Sequence, residues 1–184
     1  MNWVSHLHDQ FRHMEWADAM VWRTALSLEA TLADETLRTR LHHIHQVQRV
    51  FLSVWKGAFA HLQDDNERRQ AVMEWVSKGN DLRGADLLAW GQSYHREAQV
   101  FLNTLSEEAL AQNLTLPWSE MVAARLGQTP APSTLAETLQ QVTMHSAYHR
   151  GQVNTRLREL GAEPPLVDFI AWVWLGKPQA QWVV

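Results

Sequence analysis

The chain has 184 residues, a formal net charge of −4 and no cysteine, with 46% hydrophobic and 20% charged residues. That composition is globular rather than disordered, and one domain spanning residues 1–184 is long enough to bury a substantial core. It excludes disulfides and thiolate metal sites, and with no cluster of Lys and Arg it makes nucleic acid a poor partner.

The N-terminal stretch Met1 to Asp9 has neither a basic segment nor a continuous apolar run of the kind that marks a secretory leader. Near the C-terminus the longest apolar run, Phe169 to Leu175, is far too short to span a bilayer. The expectation is a soluble cytoplasmic protein with no membrane partner. Ten histidines and ten tryptophans are both high for this length, and the histidines carry the functional argument.

From about Val4 to Leu28 the residues Met14, Ala17, Val21, Ala25 and Leu28 recur on one face of an amphipathic helix. A break follows, and Asp34 can cap a second helix that runs to Trp55 or Lys56 and stops at Gly57. This helix carries His42, His43 and His45. A helix advances about 100° per residue, so His43 and His45 cannot both face one neighbour. His43, beside Val47, Val50 and Val54, reads as nearer the centre of the apolar face, and His42 points away from it.

The pattern weakens from His61 to Arg83, where Asp64 to Arg69 is a solvated stretch and Gly79-Asn80-Asp81 a turn signal. A third helix is expected from about Ala85 to Leu105, with His95 on a flank that could face the interior. Leu114 to Trp118 reads as extended because of Pro117, and Gly127 to Ser133 as a loop. Ser133 or Thr134, with Glu137, opens a fourth helix that ends at Gly161 before Pro164 and Pro165. Leu166 to Val184 should fold back as a short helix and tail. No alternating strand pattern or internal repeat is evident. Four long amphipathic segments make an all-α four-helix bundle the economical architecture.

On the fourth helix Leu135, Leu139, Val142, Val153, Leu157 and Leu160 form the apolar stripe. His145 and His149 lie four apart, stacked on one face, where the next stripe residues are expected. Two imidazoles in an apolar seam need partners, and one metal ion can satisfy both. With an inward histidine from the second helix they make a three-imidazole site with a position open to water or substrate. No His-Glu-x-x-His occurs, since positions 146 and 147 are Ser and Ala, and no carboxylate completes an iron facial triad beside the pair. His6, His8, His13, His42 and His61 read as surface or partly packed. Gly151, inside a helix, suggests a neighbour that must approach closely. Asp168 or another tail residue is expected to orient a ligand histidine, since Pro164-Pro165 turns the chain back after the fourth helix and makes Asp168 the nearest plausible carboxylate. The apolar tail, with Trp3, Trp22 and Trp90, suggests self-association through a helical face.

The stretch His145-Ser146-Ala147-Tyr148-His149-Arg150-Gly151-Gln152-Val153, with Leu157 to Gly161, Pro164-Pro165 and Asp168, resembles the DinB/YfiT-like family. Leu41 to Gln48, Phe51 to Gly57, Trp16-Ala17 and Leu116-Pro117-Trp118 carry the same resemblance. It implies an up-down-down-up four-helix bundle with a short C-terminal helix, commonly a homodimer. It also implies a divalent metal, zinc or nickel, held by three histidines, to which His43, His145 and His149 correspond, with His45 as the alternative on the second helix. Some relatives transfer or isomerise with low-molecular-weight thiols, so a small-molecule substrate and a metal-dependent thiol activity are implied. The catalytic residues are not identified by it, and a non-catalytic metal or ligand-binding bundle is the other expectation.

Overall fold

The computed structural model describes residues 2–62 and 64–183. Helix α1 spans Trp3–Ala25 and starts where the Asn2 side chain accepts from the Ser5 N–H. The short α2, Glu29–Leu32, leads into α3, Glu35–Trp55, which Asp34 caps by accepting from the Leu37 N–H at 2.6 Å. Gly57, at φ +77°, lets the chain leave α3 in a left-handed turn. Then come α4, Asp65–Ser77, and α5, Gly84–Leu102. The link onward contains α6, Glu107–Leu110, β1, Asn113–Leu114, α7, Ser119–Leu126, and β2, Ser133–Thr134. Helix α8 is Leu135–Glu159, opened by a reciprocal capping box between Thr134 and Glu137. Helix α9, Phe169–Trp174, precedes the tail.

Two apolar clusters fix the direction of each long helix. At one end Leu7 and Phe11 of α1 meet Val54 and Trp55 of α3, Ala98 and Leu102 of α5, and Leu135 and Leu139 of α8. At the other, Val21 and Ala25 meet Leu37 and Leu41, Leu87 and Leu88, and Val153 and Leu157. The first cluster therefore gathers the starts of α1 and α8 and the ends of α3 and α5. The long helices run up, down, down and up, and residues 56–83 form the crossover that returns the chain to the top between α3 and α5. Helix α8 packs against both α1 and α3, while α5 closes the opposite side.

The expected fold class is observed, an all-α bundle with a short C-terminal helix, and three features differ from expectation. Helix α4 forms in the polar stretch around Asp64 to Arg69, resting on Ala71, Val72 and Trp75, which pack on the core. Helix α7 buries none of its residues, so it leaves no apolar stripe to be read. The strands pair antiparallel, Asn113 with Thr134 and Leu114 with Ser133, over too few residues for alternation to show. The tail splits in character: Trp172 is fully buried against Trp16 and Ala17, and Trp174 is 79% exposed. Among the described residues no helix is long and apolar enough to cross a membrane.

Candidate metal centre

His43 of α3 and His145 and His149 of α8 meet at a half-buried position between the two helices. Their ring centroids lie 5.0, 4.5 and 4.2 Å apart for the pairs 43–145, 43–149 and 145–149. One potential ligand atom from each lies within 4.8 Å of the others. Nδ1 of His149 donates to Oε1 of Gln152 at 2.8 Å, which leaves Nε2 as a free lone pair. Arg40 holds the Gln152 carbonyl at 2.7 Å, tying α3 to this turn of α8.

Burial, then the neighbouring His149 and His43, pushes His145 down to about 4. His43 is also lowered, first by burial and then by His149. Both rings are thus neutral near pH 7, with lone pairs available. Nδ1 of His145 is buried and has no hydrogen-bond partner. An uncompensated buried nitrogen is costly, so this ring lacks a partner that the described residues do not supply.

A second group, Asp18, His45 and His95, also brings potential ligand atoms within 4.8 Å of one another, but in a different chemical state. Trp22 Nε1–H donates to His45 Nε2 at 2.8 Å, so the His45 proton is on Nδ1, which donates to Gln48 Oε1 at 2.7 Å. Gln48 Nε2 then donates to Asp18 Oδ2 at 2.8 Å and to Ser146 Oγ at 3.1 Å. Asp18 also accepts from Arg150 at 2.8 Å and from His95 at 3.1 Å. Burial alone would raise the Asp18 carboxyl, yet Arg150 and His95 outweigh it and hold the group well below the usual carboxylate range. Burial brings His45 down to about 4. Every His45 nitrogen and both Asp18 oxygens are engaged, so this is a closed polar network rather than a vacant ligand set.

The model of the DinB family matches residues 7–180. The chain belongs to the DinB family. No curated protein and no solved structure matches it.

Within this DinB bundle the two candidate histidines of α3 are thus separated: His43 joins His145 and His149, and His45 does not. The reason differs from the one the apolar pattern suggested. His43 is at the margin of the core, whereas His45 is only 1% exposed. On α8 the stripe from Val142 to Val153 passes through Ser146 and Arg150, which are buried, and not through His145 and His149, which are half-buried one position earlier.

Other expectations also need correction. His42 and His13 are buried: His42 stacks on Trp90 and contacts the Lys78 carbonyl at 3.0 Å, and His13 contacts the Val167 carbonyl at 2.9 Å. Asp168 heads α9 and lines a cavity of about 700 Å³ with His13 and Arg150, and the histidine whose charge it influences is His13. Gln152 fills the orienting role expected of Asp168. Trp22, expected on an outer face, is 3% exposed. Gly151 meets no atom within 4 Å of where a Cβ would stand, so no close neighbour within the chain explains it.

Sequence reasoning missed Asp18, Gln48 and Ser146; it read Arg150 as packing or an ion pair, and the structure pairs it with Asp18. The available signal was polar residues occupying stripe positions: Asp18 between Ala17 and Val21, and Gln48 between Ile44 and Leu52.

Proposed function

We propose that this DinB-family chain binds a divalent metal through His43, His145 and His149, and that it acts as a metal-dependent enzyme on a small molecule, with a low-molecular-weight thiol as substrate or co-substrate. The observation that carries this reading is the meeting of three imidazoles at a half-buried position, one with an orphaned ring nitrogen. Three nitrogen ligands without a fourth protein ligand are the donor set of a catalytic rather than a structural zinc site.

A bound divalent ion would lower the pKa of a water or thiol and favour its nucleophilic anion. The chain's own part is to present three lone pairs. Gln152 fixes the His149 tautomer, and burial keeps His43 and His145 unprotonated. The chain has no thiol, so any thiol chemistry draws on the substrate. A cytoplasmic setting goes with this, since small thiols are kept reduced there. Zinc and nickel suit imidazole ligands. Self-association is part of the same reading, supported by the exposed apolar surface of Trp3, Ile170, Trp174 and Leu175.

Metal analysis of protein purified without an affinity tag, followed by a thiol-transfer screen, tests the proposal. One metal ion per chain is expected, lost in His43→Ala, His145→Ala and His149→Ala and kept in His61→Ala. Wild-type protein that stays metal-free after exposure to zinc and nickel would sink the metal centre. A metal-loaded protein inactive across the thiol screen would remove the thiol activity and leave a metal-binding bundle.

A further inference from the structure

The closed network around Asp18 lies on the same turns as the three histidines. On α8, Ser146 and Arg150 each follow a cluster histidine by one residue. On α3, His45 and Gln48 follow His43 by two and five. Residues one apart on a helix diverge by about 100°, so Ser146 and Arg150 point into the bundle while His145 and His149 point along the α3–α8 seam. Whatever fixes the inward residues fixes the outward ones.

The fixing is done at Asp18. Its carboxylate is 3% exposed, holds α8 through Arg150 at 2.8 Å and α3 through Gln48 at 2.8 Å, and receives His95 of α5 at 3.1 Å. Gln48 also reaches Ser146 directly. The far end of the network cannot slide, because His45 is bonded to Trp22 and pressed on the α5 backbone. A Cβ at Gly91 would stand 2.4 Å from His45 Nε2.

We propose that Asp18 is a positioning residue for the three-histidine centre: acting through Arg150 and Gln48, it sets the rotation of α8 and α3 about their axes and so aims His145, His149 and His43 at one point. Turning α8 by about 10° moves a ring nitrogen roughly 6 Å from its axis by about 1 Å. Metal ligands tolerate displacements of only about 0.5 Å. An apolar interface would hold the helices together with less control of rotation, whereas a charged, directional network across all four long helices admits one setting. The inference rests on the metal reading and adds to it a residue that touches none of the three ligands.

The test compares wild type, Asp18→Asn and Gln48→Met by cobalt(II) and zinc titration at low temperature, with thermal melts and far-UV circular dichroism on the same samples. Gln48→Met removes all three Gln48 amide links, to His45, Asp18 and Ser146, while leaving the Asp18–Arg150 pair, which keeps the comparison usable if Asp18→Asn fails to fold. The expected result is metal affinity weakened roughly 10- to 100-fold and an altered cobalt ligand-field spectrum in variants that retain wild-type helix content. Variants that melt earlier yet bind cobalt with wild-type affinity and spectrum would overturn the proposal, leaving Asp18 a purely stabilising residue. Wild-type protein that binds neither ion would instead overturn the metal reading itself.

Discussion

Gly91 shows how far a single position can constrain the interior. Its helix lies flat on the His45 ring, and a methyl group there would stand 2.4 to 2.6 Å from three ring atoms. His45 has nowhere to go, because Trp22 and Gln48 hold both of its nitrogens. Overpacking a closed interior costs typically about 1–3 kcal/mol. Gly91→Ala is therefore expected to lower the unfolding free energy by that much, read as a lower urea midpoint at unchanged m, despite the higher intrinsic helix propensity of alanine. A midpoint equal to or above wild type would show that α5 can move off the ring. Gly151 is the opposite case. It is exposed and meets nothing within 4 Å, so Gly151→Ala should raise stability by up to about 1 kcal/mol in a thermal melt. A loss would show that something outside the chain presses on that position.

At the scale of the element, the helices whose apolar residues repeat were legible, and those held by little or nothing apolar were not. Asp34, Gly57, Thr134 with Glu137, and Gly161 marked ends that the backbone respects. Helix α7 buries nothing and α4 rests on Ala71, Val72 and Trp75, so neither carries a period long enough to read. The candidate site was legible for a partly mistaken reason. His145 and His149 stand out as a pair four apart, but the true α8 stripe runs through Ser146 and Arg150. A buried arginine is invisible to a hydrophobic pattern because its burial depends on Asp18, 132 positions away and on another helix. Pairing across helices is a tertiary fact. The only local trace was a polar residue at a core position, repeated on α1, α3 and α8.

For the whole molecule, the buried histidines set an acid limit on stability. His45 has a folded pKa of about 4 against 6.5 when free, so between those values the unfolded chain binds a proton that the folded chain refuses. Its contribution is fully present above pH 6.5 and is lost as pH falls towards 4, amounting to about 2 kcal/mol between pH 7 and pH 5. His13, His42, His43 and His145 shift in the same direction. Asp18 is depressed instead, and what it contributes is present above the ordinary carboxylate range near 3.9 and lost only below it, outside this window. The urea midpoint should therefore drop steadily from pH 7 to pH 5, and a flat profile would contradict buried neutral imidazoles.

The order in which the chain leaves the ribosome gives the Asp18–Arg150 pair a further meaning. Helices α1, α3 and α5 emerge with Asp18 facing two histidines and a glutamine but no arginine. The counter-charge arrives only with α8, and breaking such a buried pair costs about 3–5 kcal/mol. A nascent chain that has not yet made α8 can gather its apolar ends but cannot bury that carboxylate, so the last long helix acts as a latch, and closing it brings His145 and His149 up to His43 in the same movement.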